Sequence, residues 1–167
     1  MSKNKQRLAV AFTGPSNSGK TTLIVKVSSI LQDQGFKVAI VKHDPKDKAM
    51  FDKEGKDSFK FSQTGADVAV VSPNKTTIFK KQTSSIEEMI DIFDEFDFLL
   101  VEGLKTLPLP RICISRNKLD DAYFDVSDTL AIDDSINQND VPEGMNILDL
   151  NNSDEIVQWI KNNAKKV

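Results

Sequence analysis

A glycine-rich turn between an apolar segment and an amphipathic one is the strongest constraint on the fold of this chain. Residues 8–13 read Leu-Ala-Val-Ala-Phe-Thr, a run with the length and apolarity of a buried strand. Residues 14–21 read Gly-Pro-Ser-Asn-Ser-Gly-Lys-Thr and match the pattern G-x-x-x-x-G-K-[ST] at each of its fixed positions. Apolar residues then recur at steps of three and four until Gly35, which is typical of a helix with one buried face. A strand, this loop and a helix in direct succession predict a loop that wraps a phosphate group.

The fixed positions of the loop follow from the chemistry of holding a phosphate. Backbone N–H groups must turn inward around the anion, which favours glycine, and the N-terminus of the next helix points partial positive charge at the same place. Lys20 is expected to hold the β- and γ-phosphates and to act in catalysis, the Thr21 hydroxyl to bind Mg²⁺, and Thr22 to reach an α-phosphate oxygen. The predicted nucleotide-binding residues of the loop are Gly14, Pro15, Ser16, Asn17, Ser18, Gly19, Lys20, Thr21 and Thr22.

Apolar strands alternate with amphipathic helices along the chain, which is typical of a parallel sheet covered by helices. Strands are predicted at residues 8–13, 38–41, 98–101, 112–114, 129–132 and 147–148, and helices at 23–31, 57–65, 86–93 and 153–164. Residues 68–71 and 76–79 flank a Ser-Pro-Asn-Lys turn and predict a β-hairpin. We therefore expect one domain over residues 1–167 with an α/β, three-layer, P-loop NTPase-like fold, in which helices flank a mostly parallel sheet and the hairpin forms an extension.

Two acidic residues follow predicted strands, at the edge where a parallel sheet binds its ligands. Glu102 ends the strand at 98–101 and is expected to hold Mg²⁺ with Thr21 and to serve in catalysis; a solvated acid at a strand end is the alternative. Asp44 follows the second predicted strand and is expected to bind Mg²⁺ or to orient the attacking water as a catalytic residue. Asp97 begins the same strand that Glu102 ends, so it should lie at the opposite edge of the sheet.

The charge balance and the cysteine content exclude several functional classes. The net charge of −3 argues against a nucleic-acid-binding protein, which would carry an excess of basic residues. Basic residues are concentrated in the first half of the chain, and a small phosphorylated ligand held there fits this distribution better; solvated faces without a function are the alternative. One cysteine and one histidine exclude an intramolecular disulfide, a cysteine-cluster zinc site and a two-histidine metal site. No apolar run reaches the roughly 18 residues of a membrane span, so we expect a cytoplasmic protein.

Several short stretches of the chain occur together in an order typical of one known family. They are residues 14–22, Val41-Lys42-His43, Gly55-Lys56-Asp57-Ser58, Gly65-Ala66, and Val101-Glu102-Gly103 with Lys105. Over about residues 8–135 the chain resembles the family of molybdopterin-guanine dinucleotide biosynthesis protein B (MobB). The resemblance implies a homodimeric, GTP-binding P-loop protein with weak GTP hydrolysis. Such proteins act as adapters for MobA, the enzyme that joins GMP to molybdenum–molybdopterin.

The same resemblance implies roles for particular residues. Residues 14–22 would hold the phosphates of GTP, Thr21 and Glu102 would serve Mg²⁺, and residues 42–58 would face a molybdopterin phosphate or the partner enzyme. The chain also departs from many relatives. After His43 it reads Asp-Pro-Lys-Asp without a further histidine, and residues 61–63 read Phe-Ser-Gln where a more basic stretch is common.

A second motif bears on the choice of base. Residues 117–120 read Asn-Lys-Leu-Asp and match the Asn-Lys-x-Asp motif with which GTPases recognise guanine, and they follow a predicted strand. In that motif Asp120 would accept hydrogen bonds from guanine N1 and N2, and Lys118 would lie along the base beside Asn117. Adenine leaves such an acid unpaired, which is costly. A polar turn is the alternative for this stretch.

Two other functions fit a phosphate-binding loop. One is a P-loop kinase or ligase of small metabolites, similar to dethiobiotin synthetase, and the other is a nucleotide-switched scaffold. A kinase usually has a lid that carries arginine, but residues 44–74 contain none. No arginine occurs between Arg7 and Arg111, so we expect no arginine finger near the loop and slow hydrolysis, since such a finger is worth on the order of 10³–10⁵ in rate.

Overall fold

The computed structural model describes residues 7–167, which divide into two compact units. The larger unit runs as far as His43 and resumes over Phe93–Val167, and the smaller unit is Asp44–Ile92. A single domain over residues 1–167 stays a prediction beside this division. Among residues 7–167, no helix combines the length and the apolarity that a membrane crossing requires.

The helices and strands follow the predicted order along the chain. The helices are α1 (Lys20–Asp33), α2 (Asp57–Gln63), α3 (Ile86–Phe93) and α4 (Ser153–Asn163). The strands are β1 (Leu8–Thr13), β2 (Val38–Lys42), β3 (Val68–Ser72), β4 (Lys75–Phe79), β5 (Phe98–Glu102), β6 (Arg111–Ser115), β7 (Thr129–Ile132), β8 (Asn146–Asp149) and β9 (Lys165–Lys166). Short 3-10 helices cover Asp121–Val126 and Gln138–Asp140.

The larger unit is built on a mostly parallel sheet with the strand order β2-β5-β1-β6-β7-β8, and β9 pairs with β1. Every pair except β1–β9 is parallel. The central strand β1 is buried from Ala9 to Thr13, which explains why it is apolar throughout rather than alternating. The predicted P-loop NTPase-like architecture, a parallel sheet flanked by helices, is therefore confirmed.

Two layers cover the faces of this sheet. Helices α1 and α4 pack together on one face, over Ile112 and Ile114 of β6. The residue between them, Cys113, points to the other face, because side chains alternate along a strand. There it packs in a cluster with Tyr123 and Phe124, which belong to the first 3-10 helix. Sequence patterns did not predict that helix.

The two long helices of the larger unit end and begin where their sequences indicate. Helix α1 buries Leu23, Ile24, Val27, Ser28 and Leu31 on one face. It ends before Gly35, whose φ of 86° suits glycine. Helix α4 begins after Asn152, whose side-chain oxygen accepts a hydrogen bond from the Glu155 N–H at 3.1 Å.

The smaller unit contains α2, the hairpin β3–β4 and α3. The hairpin is antiparallel with Val68 opposite Phe79, as its turn sequence predicts. Ser85 caps α3 by accepting a hydrogen bond from the Glu88 N–H at 3.2 Å. Helix α2 begins at Asp57 without a side-chain cap.

We predict that truncating Leu100 destabilises the protein far more than truncating an exposed residue. Leu100 is fully buried in β5, between β1 and β2, so Leu100→Ala should lower the free energy of unfolding by about 2–5 kcal/mol. Val25→Ala is the control, because this side chain of α1 is 57% exposed. The control substitution should change the free energy of unfolding by less than about 1 kcal/mol. Urea unfolding measures both, and equal losses would contradict the burial of β5.

Candidate functional site

The carboxyl ends of four neighbouring strands meet at one edge of the sheet. Lys42 of β2 pairs with Glu102 of β5, Glu102 pairs with Phe12 of β1, and Thr13 pairs with Cys113 of β6. The loop between β1 and α1 rises from this edge beside a cavity of about 510 Å³. The residues lining the cavity are Ser16, Asn17, Gly19, Lys20, Thr21, Thr22, Lys42, Glu102 and Arg116.

The backbone of the loop needs its glycines. Gly14 has a φ of 136°, and a Cβ there would lie 2.3 Å from the carbonyl oxygen of Ile114 in β6, so no larger residue fits without a shift. Gly19 has a φ of 99° immediately before α1, and Asn17 between them has a φ of 64°. Positive-φ residues at positions 14, 17 and 19 are compatible with a loop whose backbone N–H groups bind an anion.

The hydroxyl of Ser18 is an unsatisfied polar group within the loop. The residue is 4% exposed, and its Oγ has no hydrogen-bond partner among the described residues. It lies about 3.1 Å from the point where a Cβ on Gly14 would stand. A buried hydroxyl without a partner costs free energy unless a ligand satisfies it, so this observation fits a bound anion.

Lys20 folds over the loop from which it starts. Its Nζ donates hydrogen bonds to the carbonyl oxygens of Gly14 at 2.9 Å and Pro15 at 2.7 Å. Burial lowers the pKa of the Lys20 ammonium, nearby Glu102 partly offsets that effect, and the charge of Lys42 adds to it. The ammonium is thus held at the phosphate-binding loop.

The structure brings together the two residues predicted to hold Mg²⁺ at this edge. The Thr21 hydroxyl donates to Glu102 Oε2 at 3.5 Å, and the two Glu102 oxygens lie 3.3 and 3.4 Å from Lys42 Nζ. The Glu102 side chain is only 13% exposed, which disfavours the alternative of a solvated acid. A hydroxyl and a carboxylate are the hard oxygen ligands that Mg²⁺ prefers, so these residues fit the ion.

Asp44 belongs to the smaller unit, and its carboxylate organises its own loop. It accepts hydrogen bonds from the N–H groups of Lys48 and Ala49, both at 2.7 Å, and from Lys46 at 3.3 Å. These contacts define a structural role that the sequence pattern did not reveal. The assignment of Asp44 to Mg²⁺ or to the attacking water stays a prediction.

The Asn-Lys-Leu-Asp stretch forms a tight turn after β6. Asn117 has a φ of 66°, and its N–H donates to Ser135 Oγ at 2.7 Å. The Asp120 carboxylate accepts from the Ala122 N–H at 3.1 Å and caps the 3-10 helix that follows. Lys118 forms a β-bridge with Arg116 across the turn. These contacts are those of the polar-turn alternative, and guanine recognition by Asn117, Lys118 and Asp120 stays a prediction.

Arg116 is a residue of the site that sequence reasoning missed. It lines the cavity, and its Cζ lies 3.9 Å from the point where a Cβ on Gly19 would stand. Its Nε forms an ion pair with Asp133 Oδ2 at 2.8 Å. An arginine therefore does lie beside the loop, while the expectation of no arginine finger stays a prediction. The signal was present, because Arg116 follows the predicted strand at 112–114 and strand ends meet at this edge.

A buried arginine fixes the segment that follows Glu102. Arg111 is 2% exposed, and its guanidinium donates to the carbonyl oxygens of Gly103 at 2.8 Å, Leu104 at 2.9 Å and Leu107 at 3.2 Å. Burial lowers the pKa of this group. A charged group satisfied by three carbonyl oxygens of one segment holds that segment in a single conformation.

Asp97 lies at the edge of the sheet opposite Glu102, as the sequence predicts. The carboxylate of Asp97, at the amino end of β5, accepts a hydrogen bond from the Lys37 N–H at 2.7 Å. His43 lies at the carboxyl edge, where its N–H donates to the Glu102 carbonyl oxygen at 2.9 Å. A Cβ on Gly103 would lie 3.0 Å from the Cβ of His43. The glycine beside Glu102 therefore accommodates the close approach of His43.

Comparison with known proteins assigns the family. The family model described as "Molybdopterin guanine dinucleotide synthesis protein B", or MobB, matches residues 9–133. The chain belongs to the MobB family. The matched region begins in β1 and ends just after β7, so it contains the phosphate-binding loop, Glu102 and Arg116.

Individual relatives agree with this assignment. The molybdopterin-guanine dinucleotide biosynthesis adapter protein of Escherichia coli is 29% identical over 167 residues, which cover 91% of this chain and 93% of that protein. A relative from Methanocaldococcus jannaschii, whose name also refers to such an adapter, is 30% identical over 131 residues. That match covers 75% of this chain and 54% of the relative, so the chain spans about half of its length.

Solved structures show the same fold. The crystal structure of Bacillus subtilis MobB superposes with a TM-score of 0.75, over 95% of this chain and 98% of the other, at 21% sequence identity. At that identity the likeness concerns the fold alone.

We predict that Gly14→Ala damages the protein more than the same change at a glycine in open space. Both Gly14 and Gly144 have positive φ, so each substitution carries backbone strain of roughly 1–3 kcal/mol, but only Gly14 faces a carbonyl oxygen at 2.3 Å. Gly144 has nothing within 4 Å of the new Cβ and is the matched control. Thermal unfolding should show a clearly lower Tm for Gly14→Ala, and equal Tm values would contradict the close packing of the loop on β6.

Proposed function

We propose that this protein is a GTP- and Mg²⁺-binding adapter in the biosynthesis of molybdopterin guanine dinucleotide, a form of the molybdenum cofactor, with weak GTP hydrolysis. The observation that carries the proposal is the loop at residues 14–22, which combines positive-φ residues, a buried Ser18 hydroxyl without a partner among the described residues, and the Lys20 side chain that lines the cavity. Membership of the MobB family supplies the pathway, since the relatives are named as adapter proteins of this synthesis.

In this proposal the nucleotide lies along the loop with its phosphates on the backbone N–H groups and on Lys20. Thr21 and Glu102 would hold Mg²⁺, which neutralises the charge of the phosphates. Lys42 pairs with the Glu102 carboxylate, which lies beside the Thr21 hydroxyl. Guanine rather than adenine is supported by the Asn117-Lys118-Leu119-Asp120 motif and by the guanine dinucleotide in the family description.

Weak hydrolysis is supported by the residues that would have to act on water. Asp44, the predicted acid for that step, already accepts three backbone N–H groups of its own loop. Lys20 and Glu102, the other two predicted catalytic residues, bind and neutralise rather than abstract a proton. An adapter needs to hold the nucleotide for a partner enzyme, and slow turnover suits that task.

The partners follow from the same family membership. We propose MobA, the enzyme that attaches GMP, as the protein partner, a homodimer as the working form, and the cytoplasm as the location. Residues 42–58 are proposed to face a molybdopterin phosphate or the partner enzyme. The segment contains five lysines interspersed with five acidic residues, and the lysines would be the contacts for an anionic ligand.

We predict a strong preference for GTP over ATP that depends on Lys20. In calorimetric titrations with Mg²⁺, GTP should bind more tightly than ATP, and Lys20→Ala should weaken GTP binding by roughly 100-fold or more because a charge-assisted contact with the phosphates is lost. Lys26→Ala is the control, since Lys26 is exposed on the same helix and does not line the cavity. Equal or tighter binding of ATP would favour a small-metabolite kinase.

We predict turnover below about one GTP per second in the absence of a partner. The rate should be measured by phosphate release at saturating GTP and Mg²⁺.

Glu102→Gln should abolish the gain in GTP affinity that Mg²⁺ provides, because the amide is a poorer ligand for the ion. A much faster rate from the protein alone, or a Mg²⁺ effect unchanged in Glu102→Gln, would contradict the proposal.

A further inference from the structure

The cavity has two sides, which the order of the strands defines. Strand β1 and its loop lie between β5 and β6. Glu102 and Lys42 line the cavity on the β5 side, and Arg116, the residue after β6, lines it on the opposite side. A nucleotide lying across the loop would therefore meet a carboxylate with a lysine at one end and a guanidinium at the other.

Arg116 is held by one edge of its guanidinium. Nε pairs with Asp133 Oδ2, whereas the two Nη groups have no hydrogen-bond partner within residues 7–167. The Asp133 carboxylate is itself fixed, because Ser135 donates to its Oδ1 from both its hydroxyl and its N–H. Ser135 is fixed in turn by the Asn117 N–H. The side chain of Arg116 is 42% exposed and lines the cavity, so its Nη groups are accessible to a ligand there.

The geometry points to Arg116 as a residue that binds the α-phosphate end of a guanine nucleotide through its two Nη groups. This inference rests on the proposed function. Thr21 and Glu102, the predicted ligands of Mg²⁺, lie on the β5 side, so the β- and γ-phosphates that the ion would neutralise are expected on that side. The α-phosphate then lies toward β6, on the side that Arg116 lines. A planar guanidinium matches two phosphate oxygens at once, which an ammonium cannot do.

This position distinguishes Arg116 from an arginine finger. A finger stabilises charge that develops on the γ-phosphate, so its removal lowers the rate of hydrolysis. A group on the α-phosphate makes the same contact with GDP, with GTP and in the transition state. Its removal therefore weakens the binding of both nucleotides equally and leaves the rate at saturating GTP unchanged.

The test compares Arg116→Ala, Arg116→Lys and the unmodified protein, with Lys26→Ala as a control for the loss of one exposed positive charge. Binding of Mg²⁺-GDP and Mg²⁺-GTP is measured by calorimetry, and phosphate release is measured at saturating GTP. Arg116→Ala should weaken both nucleotides by about 10- to 100-fold, Arg116→Lys should recover only part of that loss, and kcat should not change. Circular dichroism checks that the variants keep their fold.

The outcomes separate this inference from the proposed function. If the unmodified protein binds neither nucleotide, both fail together. If it binds them and Arg116→Ala binds GDP as tightly as before, the inference alone is overturned. A loss confined to GTP, or a large fall in kcat, overturns it in favour of an arginine finger. A loss of similar size in Lys26→Ala also overturns it, because the effect would then be one of net charge.

Discussion

The close packing of the Gly14 backbone against the Ile114 carbonyl oxygen sets the position of the remaining groups in the site. With no side chain at Gly14, the loop can pack directly against β6 and then lead into α1 at Gly19. The start of α1 carries Lys20 and Thr21, so the placement of the loop decides what their side chains reach. The parallel sheet contributes the rest, because it ends its strands at the same edge and so delivers Glu102 beside them.

Charge at the site is balanced in pairs, with one exception. Lys42 is neutralised by Glu102 and Arg116 by Asp133. The partners of Lys20 in hydrogen bonding are neutral carbonyl oxygens of its own loop, and burial lowers its pKa. A polyanion on the loop would supply the counter-charge that these carbonyl oxygens do not. Lys20 would therefore attract a bound polyanion most strongly, because it is the cation of the site without an acidic hydrogen-bond partner among residues 7–167. Lys42 and Arg116 are held in place by their acidic partners.

The sequence predicts the sheet, the loop and the pairing of Thr21 with Glu102, because each depends on local signals: a fixed spacing, an apolar run, or an acid at the end of a strand. What the sequence does not predict also has physical reasons. The sequence shows that Arg116 follows a predicted strand, but which strand lies beside β1 is decided by the tertiary fold, so its place at the loop appears only in the structure. The carboxylates of Asp44 and Asp120 match functional patterns, yet each makes short-range hydrogen bonds to nearby backbone, a competition that acidic side chains enter wherever the chain turns. The pairing of β9 with β1 involves backbone groups and leaves no apolar pattern to detect.

The hydrogen bonds of Arg111 limit how far the segment after Glu102 can move in response to a ligand. Moving the segment after Glu102 would break up to three hydrogen bonds to a buried charge, each worth on the order of 1.5–3 kcal/mol. Loss of a terminal phosphate would have to outweigh that sum before the segment could change shape. The segment after Glu102 is therefore expected to keep the same conformation whether the loop holds a nucleoside triphosphate or a diphosphate.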